Sequence, residues 1–252
     1  MSQYLFGTGT MIAKRTDVAN QPPYMFGVLQ DISIDFDQKL ESLVGQNKVA
    51  VALGDGELKI TGKAKMARWQ NTLPANMLIG QALTTGSPQL PLTGESGTVP
   101  ATSTYTITVI NSALVPLEDL GVYYQATGIQ LTPVASGPTV GQYAFNPTTG
   151  VYTFAAADAS AKVWLYYSWA AASGQDLVYA NPLMGSSPVF EVYLKNSSPS
   201  FGVPKDFVLK LNACKASKLS IPFSNEKFAV QEFDFQAMAD ASGNVFTLGT
   251  TE

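Results

Sequence analysis

Histidine is absent from this 252-residue sequence, and cysteine occurs once. The first absence excludes Ser-His-Asp and Cys-His nucleophiles and histidine acid–base catalysis; together the two leave out the usual zinc sites. A lone cysteine also excludes a disulfide framework. Cys214, in the strand-like Leu211-Asn212-Ala213-Cys214, reads as a buried thiol acting as a small hydrophobe. Charge is scarce too: 13% of residues, about half the common share, against 46% apolar and 11% aromatic. That much apolar surface offsets the entropy of ordering, so a disordered chain is excluded. A net charge of −4 argues against sequence-independent affinity for DNA. No run of about eighteen apolar residues occurs. The apolar Tyr4-Leu5-Phe6 is too short for a secretory leader, and Lys14-Arg15 follow rather than precede it. The expectation is a soluble protein without a membrane span, made in the cytoplasm.

What charge there is falls unevenly. Residues 1–85 hold eight basic and seven acidic side chains, and residues 181–252 hold six and seven. Residues 86–180 hold only Lys162 against Glu95, Glu118, Asp119, Asp158 and Asp176, in a stretch rich in Thr, Ser, Gly, Pro, Ala, Tyr and Trp. A compositional shift that begins and ends inside the chain marks a second folding unit. The reading is a discontinuous domain, 1–85 with 181–252, interrupted by an inserted domain at 86–180.

Hydrophobic periodicity is two almost throughout. Ile32, Ile34 and Phe36 alternate with Asp31, Ser33, Asp35 and Asp37. Leu58, Ile60, Ala64 and Met66 alternate with Lys59, Thr61, Lys63 and Lys65, giving a strand with a basic outer face. Phe190, Val192 and Leu194 repeat the pattern, as do Phe207, Leu209 and Leu211, then Phe233 and Phe235. Inside the insert, 105–109, 151–154 and 163–167 read as strands. Turn residues separate these runs, as at Gly54-Asp55-Gly56 and Asp240-Ala241-Ser242-Gly243-Asn244. One helix is expected, capped by Thr72 with Pro74 in its first turn, carrying Met77, Leu78, Gln81 and Ala82 and ending at Gly86. The fold class is mostly β, a sandwich or barrel with one short helix, plus a second all-β sandwich in the insert.

Chemistry-bearing motifs are weak. Gly56 to Gly62-Lys63 has five intervening residues where a phosphate loop has four, and Ala64 stands where Ser or Thr would hold magnesium. Asp31, Asp35 and Asp37 project in a line along a strand rather than around a calcium ion. Glu226, Glu232 and Asp234 could serve a glycosidase, but nothing sets two of them across a cleft. No catalytic residue, cofactor site or metal site is assigned, and the protein is read as not an enzyme. The insert's Tyr123, Tyr124, Tyr152, Trp164, Tyr166, Tyr167 and Trp169 could line a carbohydrate groove, although period two sends half of such rings into a core.

Two further features bear on assembly. Around 31–37 and 232–236 the strands have one apolar and one acidic face. Repeated in a ring, Asp35, Asp37, Glu232 and Asp234 would line a hole and repel phosphates; on a monomer they would be a solvated face. Between Lys39 and Asp55, Leu40, Leu43, Val44, Val49, Val51 and Leu53 form an apolar set around a Gly45-Gln46-Asn47 turn. A hairpin projecting there would need a neighbour to cover it, unless it folds back on its own core.

These residues carry a resemblance. Phe26-Gly27-Val28-Leu29-Gln30-Asp31-Ile32-Ser33-Ile34-Asp35-Phe36, the Lys39 to Asn47 stretch and Lys59-Ile60-Thr61-Gly62-Lys63-Ala64-Lys65 resemble the tail tube proteins of tailed bacteriophages. Phe228 to Ala237, with the turn at 240–244, is similar to their last strand. Gly150-Val151-Tyr152-Thr153-Phe154 in the insert is similar to a stretch common in phage structural proteins. Lys48-Val49-Ala50 departs from the pattern, which leads one to expect a proline.

The resemblance implies a virion protein that forms hexameric rings stacked into a hollow tail tube. It implies, as partners, further copies of itself, a tape-measure protein inside, terminator and tip proteins at the ends, and DNA in transit. Leu40, Leu43, Val44, Val49, Val51 and Leu53 would then meet the adjoining ring. An insert outside the tube suits a long non-contractile tail, because a contractile sheath would collide with it. The competing expectation is a receptor-binding or decoration module whose aromatic insert binds host glycans.

Overall fold

Alternating apolar and polar residues place one side of each strand in a core and the other in water, and the chain uses this pattern for nearly all its regular structure. A computed structural model describes residues 6–44, 46, 49–200 and 203–251, with backbone only at 198–200, 203 and 204. Gly45, Asn47 and Lys48, at the tip of the expected hairpin, lie outside the described residues.

The chain opens with β1 (Thr10–Arg15), β2 (Tyr24–Met25), β3 (Leu29–Val44) and β4 (Ala50–Met66). Then come β5 (Thr84–Gly86), β6 (Gln89–Thr98), β7 (Thr106–Thr108), β8 (Leu117–Tyr124) and β9 (Thr132–Pro133). They are followed by β10 (Gln142–Asn146), β11 (Val151–Phe154), β12 (Lys162–Ala170) and β13 (Gly174–Asp176). The last four are β14 (Phe190–Ser200), β15 (Val203–Ser220), β16 (Gln231–Met238) and β17 (Phe246–Thr250). Two units result: Met1–Leu83 with Leu177–Glu252, and Thr84–Asp176 between them.

The discontinuous unit is one eight-stranded sheet, seven strands in the order β2-β1-β14-β15-β16-β4-β3 with β17 paired to β15 off that path, within the mostly β class expected. β15 is long enough to hold two partners on one edge: Ala213–Ser220 pair with β16 and Phe207–Leu211 with β17. The sheet rolls, bringing Phe36 of β3 within 5.3 Å of Phe246 of β17. Inside lie Phe26, Phe190, Phe233 and Phe235, with ring centroids 5.7–6.2 Å apart. Phe235 covers Gly62, where an added Cβ would sit 2.2 Å from its ring. Cys214 is fully buried in the same core, as expected.

The expected helix is cut short. It is one π-type turn, Pro74–Ile79, with Leu73 rather than Thr72 at the N-cap and no side-chain cap. Gly80 takes the left-handed conformation (φ 76°) and ends it, leaving Gln81 and Ala82 beyond. Arg15, itself held by Asp17 at 2.6 Å, donates to the Gly80 carbonyl.

In the inserted unit, sheets β6-β12-β8 and β7-β11-β10-β9 enclose one core, and β5 pairs with β13 as a short ribbon. Against that core sit three carboxylates, Asp158 buried and Asp119 and Glu95 partly so, each bonded to tyrosine. Asp119 accepts from Tyr143 and Tyr152 (2.5 and 2.8 Å) and from the Gly121 amide. Asp158 accepts from Tyr124 (2.6 Å), and Glu95 from Tyr167 (2.5 Å) and the Ile110 amide. A buried carboxylate without such donors would cost several kcal/mol, so the pairs make the polar core possible.

Burial, and then the carboxylate contacts, raise all four hydroxyls; Tyr124 and Tyr167 are pushed up to about 12. A hydroxyl whose folded value exceeds its unfolded value stabilises the fold fully below the unfolded value, 10.0. That contribution is lost as pH climbs from 10 toward about 12. Alkaline titration is expected to ionise these four tyrosines only as circular dichroism collapses, above pH ~10. Ionisation of all 11 tyrosines at their ordinary pH with the fold intact would contradict the pairing.

Candidate functional site

The β3–β4 hairpin is longer than the sheet it belongs to. β4 pairs with β16 only from Met66 to Thr61, opposite Gln231 to Gln236. Beyond that point the hairpin continues as a two-stranded ribbon, from Phe36 opposite Ile60 to Val44 opposite Ala50. A bulge between Gln38 and Leu40 breaks the register beside Gly56, where a Cβ would come within 3.0 Å of the Lys39 carbonyl. Past the bulge, Leu40, Leu43, Val44, Val49, Val51 and Leu53 are each 56–77% exposed. Two strands alone are marginal in water. An arm built from them, clad in leucine and valine, is an unmet demand for apolar contact.

The outer face of the sheet is also ordered by register. Asp31, Ser33, Asp35 and Asp37 of β3 stand opposite Lys65, Lys63, Thr61 and Lys59 of β4. Lys65 and Lys63 in turn stand opposite Glu232 and Asp234 of β16, and Asp234 opposite Lys218 of β15. Opposed residues share a face, so Asp35, Asp37, Glu232 and Asp234 do lie together, on the side away from the core. The lysines read as a separate basic face lie between them. Asp31, Lys65, Glu232 and Lys218 form a ladder across four strands, with contacts of 3.7, 3.9 and 3.9 Å.

The face therefore carries five carboxylates (Asp31, Asp35, Asp37, Glu232, Asp234) against Lys59, Lys63, Lys65, Lys215 and Lys218: an even balance, not a uniform acidic wall. The reason is topological. β16, from the end of the chain, pairs beside β4 and places its acids next to β4's lysines. Composition along the chain carries no trace of that neighbour relation. Asp35 and Asp37 are exposed, whereas Glu232 and Asp234 are half-buried.

The structure also sorts the insert's aromatics. Tyr152 and Tyr167 are fully buried, and Tyr124 is tied to Asp158. Tyr123, Trp164 and Tyr166 share the outer face of the three-stranded sheet, where Trp164 stands opposite Tyr123 and the two tyrosine rings meet edge to face at 5.3 Å. Trp164 lies against Gly94, whose missing Cβ would be 3.4 Å from its ring. Gln125 flanks them, donating to Ser96 Oγ at 2.7 Å. Among the described residues there is no cluster of potential metal ligands, and no helix is long and apolar enough to cross a membrane. No protein-family model matches the chain, and no curated protein matches it.

Asp35→Lys with Asp234→Lys turns five acids against five bases into three against seven. Exposed ion pairs contribute ~0–1 kcal/mol each, so the fold is expected to persist. The double variant is expected to retard duplex DNA in a gel at low salt and to lose it steeply as salt rises, where the unaltered protein does not bind. A variant no stickier than its parent would show that the face does not act as one electrostatic surface.

Proposed function

We propose that this chain is the repeating subunit of a self-assembled tube, the tail tube of a bacteriophage with a long non-contractile tail. The observation that carries the reading is the apolar arm. A projecting ribbon with six large, exposed apolar side chains and no third strand gains stability only when another molecule covers it. The rolled sheet supplies a rigid body from which the arm extends. The six-fold ring, the tape-measure protein inside, the terminator and tip proteins and the passage of DNA come from the family resemblance.

The charge ladder changes how such a conduit would treat DNA. Lysines already facing carboxylates release fewer counterions on meeting phosphates, so they grip weakly. With its acids and lysines balanced within each subunit, the wall neither holds DNA nor repels it strongly. A self-neutralised lining replaces the acidic one.

A second reading, a glycan-binding module, is favoured by one observation: Tyr123, Trp164 and Tyr166 form an open aromatic row with a glutamine beside it. On that reading Trp164→Ala abolishes retention on neutral polysaccharide gels while tube formation is untouched.

For the main reading the decisive experiment is electron microscopy of concentrated protein, unaltered and lacking residues 42–52. The unaltered chain is expected to form tubes. The shortened chain keeps the β3–β4 pairs from Leu29 to Gln38 and is expected to fold without stacking. Tubes of normal length from the shortened chain, or only monomers from the unaltered one, would remove the assignment.

A further inference from the structure

The arm has an acceptor of matching chemistry on the same molecule. Where the sheet rolls, β3 faces β14, β15 and β17 across an open groove of about 340 Å3. Ile32, Ile34 and Phe36 line one side, and Leu194, Phe207 and Leu248 the other. Phe36 and Leu248 are 47% and 54% exposed, so apolar surface is in contact with water there. Asn196 also lines the groove. It is more than nine-tenths buried, and its Nδ2 donates to the Gly7 carbonyl at 2.7 Å. Its Oδ1 is buried without a donor among the described residues. A buried acceptor lacking a partner marks a place where an incoming N–H or O–H would be welcome.

Groove and arm belong to one strand. The groove runs beside residues 31–36 of β3, and the exposed leucines and valines begin at residue 40. The arm cannot fill its own groove: it runs away from it, and the β3–β4 register that directs it is bonded from Leu29 to Val44. A second copy is then the source of an arm for it. Chemical match supports the same occupant. Leu40, Leu43, Val44, Val51 and Leu53 give the arm an exposed apolar surface, and the groove's walls are apolar too, its one charged lining residue, Asp31, being already 3.7 Å from Lys65.

We propose that the arm of one copy seats in the β3–β14–β15–β17 groove of the next, so that copies follow each other head to tail along the direction of β3. Such a contact joins two different surfaces and does not close on itself, so it propagates as an open stack rather than ending at a dimer. Either the Ser42 hydroxyl or an N–H on the arm's free edge supplies the donor for Asn196. The displacement needed is eight to twelve residues of strand, a repeat of roughly 27–41 Å at ~3.4 Å per residue. This assignment rests on the tube reading and names the surface that receives the arm.

The test joins Leu43→Cys to Leu248→Cys in the full chain; both positions are exposed, so folding is expected to be unaffected. Cys214 does not compete, being fully buried with its thiol pushed up to about 12. Mild oxidation of the assembled double variant is expected to give a ladder of covalent trimers, tetramers and longer chains on a non-reducing gel, while each single variant stops at dimers. Leu248→Arg is expected to lower tube yield at least tenfold and leave the monomer's circular dichroism unchanged. Tubes of normal appearance with no ladder beyond dimers, with tubes undiminished by Leu248→Arg, would overturn the groove assignment and leave the tube reading standing. No assembly by the unaltered chain would overturn both.

Discussion

The antiparallel register of β3, β4 and β16 is the constraint from which the other features of the larger unit follow. Side chains on a strand change sides at every residue, so a slip of one position would exchange its faces. Held as it is, the register buries Ala64, Phe233 and Phe235 on one side. On the other it aligns Asp31, Lys65, Glu232 and Lys218. The same two strands, carried past the point where β16 stops pairing, become the arm. Core, charged face and projecting ribbon are three consequences of one pairing.

The charged face shows how little an ion pair must contribute to matter. Contacts of 3.7–3.9 Å between exposed groups contribute little to stability. Their effect is on what the surface does to others. Alternating columns cancel at short range, so a passing polyanion meets neither a sink nor a barrier. A uniform face of either sign would interact strongly with nucleic acid, and mixed columns avoid both extremes.

The inserted unit solves a different problem. Its two small sheets enclose a core at whose margin tyrosine hydroxyls donate to Asp119, Asp158 and Glu95. Tyrosine supplies apolar bulk and a donor in one side chain. That explains why a stretch with so few charges is so rich in tyrosine, and why most of its aromatic residues serve the fold and only Tyr123, Trp164 and Tyr166 remain on the outer sheet face.

Strand identity, the interrupted composition, the buried Cys214 and the apolar character of residues 40–53 were legible in the sequence, because each depends on local alternation or on composition over a few dozen residues. The limit of local reasoning shows at Gly80, whose left-handed turn ends the helix that the spacing of Gln81 and Ala82 led one to extend. It shows again on the charged face, where acids and lysines each formed a face of their own until β16 was placed beside β4. The groove beside β3 was invisible for the same reason. Its walls come from residues 32–36, 194, 207 and 248, brought together only when the sheet rolls. Amino-acid order determined which side of each strand would be wet or dry; tertiary structure alone decided which strands became neighbours, because pairing partners far apart in the chain are selected by the whole sheet's packing and not by any segment within it.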